Sequence, residues 1–348
     1  MSPIHRKTKQ IYLFFFIGLT LAACTNDKKV DVSDIKLDVQ IERFDQDFDA
    51  MRTKPMAQQA AYLQKKYGTF YQDFIERILN VGSTADTAYF ATLRQVFASP
   101  AYIDLKHDVD SVYKDGLDKQ NEELTDAFKR IKYYYPKKDL PKVYAYFSGF
   151  QAQTSIGNGY FAIGLDLFLG ADSRFYPALV QQGSFPRYLS RRFNKTNIVQ
   201  RVVEGIVHED MFPENDNDNS LLAKMIYNGK ILYFMDKVLP DMADSIKIGY
   251  TAQQTQWAEA NKANIWTFFL EENLLYETDF QKINTYLNEA PFTPGVGERN
   301  ESAPKLAVWT GWQIVRQYMD KHPEVTLPQL MAMGDAQKIL KESKYRPK

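Results

Sequence analysis

From Ile35 the chain alternates strictly, with Ile35, Leu37, Val39 and Ile41 apolar and Lys36, Asp38, Gln40 and Glu42 polar. A period of two predicts a strand with one buried face. The period then lengthens. Met56–Tyr67 and 70–79 carry apolar residues at helical spacing. Val109, Val112, Tyr113, Leu117, Leu124, Phe128 and Ile131 form one stripe, which predicts a long helix over 109–131 stopped by Pro136 and Pro141. Two short β-type runs follow, 143–147 and 160–163. Gly149, Gly157 and Gly159 lie between them, so the spacing predicts a hairpin.

Beyond about residue 184 the pattern is helical again. Ile198, Val199, Val202, Val203, Ile206 and Val207 make one apolar face, with Thr196 and Asn197 as candidate caps and Pro213 beyond the end. Further helices are expected at 221–239, 252–273, 279–288 and 305–320. No repeat of fixed period and no long linker interrupts the chain. The expected architecture is one mostly helical α+β domain over 35–348, with a small sheet near 35–44 and 143–169.

The first 34 residues follow a different logic. Arg6, Lys7 and Lys9, with no acid, precede an apolar run of 13 residues from Ile11 to Ala23. A basic start, a short apolar core and small residues before a cut describe a secretory signal peptide. The run is short of the roughly 20 residues that span a bilayer, which disfavours a transmembrane anchor. It ends in Leu21-Ala22-Ala23-Cys24, which resembles a lipobox, and Cys24 is the only cysteine among 348 residues. The expectation is cleavage after residue 23, lipid on Cys24 and a polar tether over 24–34. Stable anchoring takes two lipid signals, a condition that a diacylated or triacylated cysteine meets. Thr25 stands where an Asp would favour inner-membrane retention in some bacteria, so the outer membrane is the expected destination.

Without residues 1–23 the chain carries 40 Lys and Arg against 43 Asp and Glu. Such a balance gives no basic footprint for nucleic acid. With its only cysteine lipidated, the body has neither a disulfide nor a cysteine metal site. The 22 Tyr and 23 Phe point to an aromatic core.

The stretch with most chemical content is Glu204 to Phe212. A zinc peptidase helix needs His-Glu-x-x-His, two ligands one turn apart with a Glu base between them. Here His208 and Glu209 occupy the first two places and Phe212, which cannot ligate, the last. The plainer reading is a histidine at the polar border of a core helix, bonded to Glu204 or water. Glu214 to Ser220 resembles a calcium loop only in composition. The sixth and twelfth places from Asp216 are Leu221 and Tyr227, not Gly and Glu. Gly295-Val296-Gly297 reads as a turn, and Ser155, Ser184 and Ser190 sit in no nucleophile pattern. Arg187, Arg191, Arg192 and Lys195 form a small basic cluster that suits lipid headgroups, an acidic partner or a solvated helix end.

Several segments carry a joint resemblance in their order. After the lipobox come Ile41-Glu42-Arg43-Phe44-Asp45, the run from Gly164 to Gly170, Pro186-Arg187-Tyr188-Leu189, and the His208-Glu209 helix. The run from Met225 to Phe234 and the run from Trp309 to Val315 follow. Together they resemble the gliding-motility lipoprotein GldB family over about residues 1–320. The resemblance implies an envelope lipoprotein needed for surface gliding, with machinery associated with type IX secretion. The family is also distantly similar to predicted zinc peptidases, in which a Glu before a Gly on the next helix is the third ligand. Asn228 precedes Gly229 here, so two of three ligands are absent. The implied protein is a non-catalytic scaffold on a degenerate zincin-like fold. It has no cofactor or metal, with His208 and Glu209 as relics, and its partners are the membrane, through Cys24, and other envelope proteins. Two other readings remain open. One is a zinc hydrolase at His208 completed by His107, His322 or Asp210. The other is a ligand-binding lipoprotein with a cleft lined by residues 149–170.

Overall fold

Two helices cross at the centre, Leu221–Val238 and Leu306–Lys321. The first is apolar on nearly every side, and a helix hydrophobic all round belongs in a core. Helices Asp118–Tyr134, Ile198–Gly205, Phe280–Leu287 and Ala336–Ser343 surround it. At the crossing, Gly229 faces Gly311. A Cβ on Gly311 would lie 1.9 Å from the Met225 carbonyl oxygen, and one on Gly229 would lie 2.4 Å from the Gly311 carbonyl. Only two glycines allow backbones this close. The computed structural model describes residues 29–214, 217–297 and 301–348. Residues Asp31–Lys348 form one compact unit. The expected signal peptide and Cys24 lie outside the described residues.

Four strands make a mixed sheet: β1 (Ile41–Arg43), β2 (Lys142–Tyr146), β3 (Thr154–Gly157) and β4 (Tyr160–Gly164), in the order β1-β2-β4-β3. β1, β2 and β4 run parallel, with Ile41 opposite Val143 and Val143 opposite Phe161; β3 is antiparallel to β4. Every residue of β4 is buried, as expected of a parallel strand covered on both faces. Tyr144, Tyr146 and Tyr160 pack on Phe70, with ring centroids 5.2, 5.8 and 5.0 Å away. On the opposite face Phe161 meets Gly205, where a Cβ would lie 2.5 Å from the ring.

Four sequence expectations change. The 143–147 and 160–163 runs do not form a hairpin with each other; they pair in parallel, and β3 supplies the hairpin through Asn158 and Gly159 (φ +77°). The alternation at 35–42 sets burial correctly, but ladder pairing begins only at Ile41. Side chains of Asp118–Tyr134 bind the backbone there: Val39 N–H donates to Thr125 Oγ1 and Ile41 N–H to Asn121 Oδ1, both at 2.9 Å. The helix expected over 109–131 is two, Pro100–Val112 and Asp118–Tyr134, separated at Gly116 (φ +75°). Tyr113 and Leu117 are buried in the turn itself, which is why the apolar stripe runs through the break unmarked. The stretch expected at 252–273 divides likewise at Asn261.

Candidate functional site

The helix Ile198–Gly205 runs on into a wider turn, Ile206–Met211, closed by an i→i+5 bond from Phe212 N–H to the Val207 carbonyl at 2.9 Å. Such widening interrupts the 3.6-residue spacing and recurs at functional sites. It carries position 212 beyond the helix, at φ −140° and ψ 63°. Phe212 therefore does not stand one regular turn above His208. Its ring packs edge-on against Tyr135 and Phe234, with centroids 5.6 and 5.8 Å away, and stays half-buried. Glu209 and Asp210 point to solvent, Asp210 pairing with Lys138 at 2.7 Å.

His208 lines a cavity of about 220 Å³ with Glu204, Arg192, Arg201, Asn228, Glu289 and Lys305. Tyr227, on the central helix, orients the imidazole. Its hydroxyl donates to the Phe212 carbonyl at 2.9 Å, so its only proton is spent, and the contact at 3.0 Å has His208 Nδ1–H as donor. Nε2 is left as the basic nitrogen. Burial lowers the His208 pKa, with Arg201 adding to the shift and Glu204 opposing it, so the ring is neutral at pH 7.

Glu204 accepts from Gln200 at 3.0 Å and from Arg201 at 3.1 Å. Burial alone would raise its pKa, but Arg201, Arg192 and Lys305 outweigh that and hold it at about 2. Glu289 accepts from Arg192 and Lys305 through one oxygen, both at 2.5 Å. Its other oxygen and the Arg201 Nε are buried without a hydrogen-bond partner among the described residues. Burial also lowers the Lys305 pKa. A last cation on the wall, Lys247, belongs to a separate network in which Asp236 and Asp244 face Lys247 and Arg316.

Three cations and two carboxylates around a neutral imidazole do not suit a divalent metal, which would add positive charge where it is already in excess. Among the described residues, no three His, Cys, Asp or Glu side chains group as a metal site. His107 is exposed beside Asp108, and His322 Nδ1–H donates to the Tyr318 carbonyl, 2.8 Å away, with its ring on Tyr318. Neither lines the cavity. Of the expected site residues, then, His208 and Asn228 come together and Glu209, Asp210, His107 and His322 stay apart.

Sequence reasoning named Glu204 only as a possible partner of His208 and did not single out Arg201, Glu289, Lys305 or Tyr227. One signal was available: Gln200, Arg201, Glu204 and His208 recur at three- and four-residue steps along an otherwise apolar helix. The basic cluster at 187–195 is divided. Arg192 enters the cavity, Arg191 donates to the Tyr188 and Gly249 carbonyls, and Lys195 lies over the Tyr113 ring. Arg187 is exposed.

The family model described as gliding motility protein GldB matches residues 25–347. No curated protein matches the chain. No solved structure matches it.

Proposed function

Because the chain belongs to the GldB family of gliding-motility proteins, we propose that it acts in surface gliding as a lipid-anchored, non-catalytic scaffold at the cell envelope. The observation that carries this reading is one of position. The family match opens at residue 25, directly after the lipobox cysteine, and runs through the compact body. Among the described residues, no helix is long and apolar enough to cross a membrane, which fits a body held by lipid at Cys24. The absence of catalysis is supported by the cation-bracketed histidine and by a wide turn that moves position 212 away from it. The scaffold's partners are proteins of the gliding and type IX secretion apparatus, and Thr25 favours the outer membrane. The test is Cys24→Ala in the native strain. Loss of the protein from the membrane fraction together with loss of gliding is expected. A variant that stays in the membrane and still supports gliding rejects the lipid anchor.

A further inference from the structure

A second cavity of about 380 Å³ adjoins the first, and Arg192, Arg201 and Glu289 line both. Its own walls are of a different kind. Phe150, Phe168, Phe185 and Phe193 give it rings, and Gln151 and Gln153 give it amides. The two spaces are a charged half and an aromatic half with a common wall. The aromatic cavity alone has the size in which small ligands bury most of their surface.

The charge balance selects the ligand. Arg192 and Lys305 share one carboxylate, Glu289, and Arg201 shares Glu204 with the neutral Gln200. The Lys247 and Arg316 pairs balance among themselves, and Glu214 is taken by Lys224. One positive charge is therefore left over where Arg192 and Lys305 share Glu289; Arg192 reaches the common wall, and the Arg201 Nε beside it has no hydrogen-bond partner among the described residues. An uncompensated charge in a partly enclosed space is unfavourable until a counter-charge arrives.

We propose that the aromatic cavity binds an organic carboxylate carrying an apolar group, the carboxylate on Arg192 and Arg201 at the wall it shares with the charged cavity and the apolar group among the phenylalanine rings. A neutral sugar would leave the charge unanswered, and inorganic phosphate would leave the aromatic half unfilled. A peptide carboxy terminus and a free small acid offer the same chemistry. The site goes beyond the scaffold reading and stands whether or not Cys24 carries lipid.

The test is calorimetric titration of the full chain, purified in detergent, with acetyl-phenylalanine and with a hexapeptide ending in phenylalanine. The same peptide with an amidated end, phenethylamine and inorganic phosphate serve as comparisons. Binding by the acids is expected, weakened about tenfold or more by amidation. A peptide that binds more tightly than acetyl-phenylalanine assigns the source to a carboxy terminus; equal affinities assign it to free acids. Arg201→Gln should weaken binding about tenfold or more, and Phe185→Ala, among the rings that line the cleft, should weaken it independently. Arg174→Gln, whose partners Asp104 and Asp108 lie elsewhere, should leave it unchanged. Equal binding of acid and amide, preference for phenethylamine or phosphate, no binding by either acid, or indifference to both cleft variants overturns the proposal.

Discussion

Two neighbouring residues of the central helix meet opposite surroundings. Gly229 lies in the crossing with Gly311, where backbones touch and no side chain fits. Asn228 lines the charged cavity, its amide donating to the Lys224 carbonyl at 2.8 Å. The crossing is specified by shape, and a single added methyl violates it. The cavity is specified by charge, and its walls leave room. One helix thus carries both the part of the molecule that cannot vary and the part that is free to acquire a ligand. Gly311→Ala sharpens this contrast most. Its Cβ would overlap the Met225 carbonyl, so the two helices must separate and their buried neighbours repack. A loss of about 3 kcal/mol or more is expected, read by urea unfolding of the purified chain. Asn228→Ala should fall within about 1 kcal/mol, and an equal loss at both positions would erase the contrast.

Between these extremes lies Phe212, at the end of the wide turn. A fully buried phenylalanine costs about 3–5 kcal/mol when truncated. This one is half-buried with two ring neighbours, and Phe212→Ala should cost about 2 kcal/mol. Phe212→His asks a different question of the same residue. A histidine there would complete the spacing of a zinc helix on paper. The wide turn, however, sets the position past the helix, and the nearby cations repel a metal. The variant should hold no stoichiometric zinc by mass spectrometry after dialysis against the metal. One zinc per chain would show that the turn reverts to a regular helix and that charge does not govern the cavity.

The frame was more legible in the sequence than the cavity, for a physical reason. Apolar periodicity reports burial, and burial determined the helices. Met56–Tyr67 was read to the residue, and the central helix differs from its expected span by one. The segments that carried the family resemblance also make sense as contacts. The Met225 to Phe234 and Trp309 to Val315 runs are the two sides of the glycine crossing. In Ile41 to Asp45, Arg43 grips buried Asp45 through two bonds of 2.8 and 2.7 Å. Periodicity is blind to partner choice and to backbone events inside an apolar stripe. It therefore missed the parallel pairing of β2 with β4 and the break at Gly116. The cavity was hidden for a further reason. Glu289 and Lys305 come from irregular segments, at either end of the stretch between Phe280–Leu287 and Leu306–Lys321, and no spacing rule links them to His208.

The smallest effect probes where the shape-specified region ends. Asp166 sits after β4 and is fully buried. Its Oδ2 accepts from the Ser148 and Phe150 N–H groups at 3.0 and 2.7 Å, and its Oδ1 has no hydrogen-bond partner among the described residues. These bonds pin the 148–150 turn, including Phe150 at φ +65°, against the aromatic cavity. Burial is the dominant cause of its shift and pushes the carboxyl up to about 6 from an ordinary 3.8. With the folded pKa above the unfolded one, the stabilising contribution is complete below about pH 3.8 and is lost as pH rises through about 6. His208, lowered by burial from 6.5, has the opposite sign: its contribution is present above 6.5 and is lost as pH falls. The two oppose each other between pH 7 and 5. Asp166→Asn removes one of them, so the variant should lose about 1 kcal/mol more stability than the parent on acidification from pH 7 to 5. Urea unfolding at the two pH values measures the difference. Parallel pH profiles for parent and variant would mean that Asp166 is ionised in the folded and the unfolded chain alike over this range, and that charge matters to this fold only in the cleft.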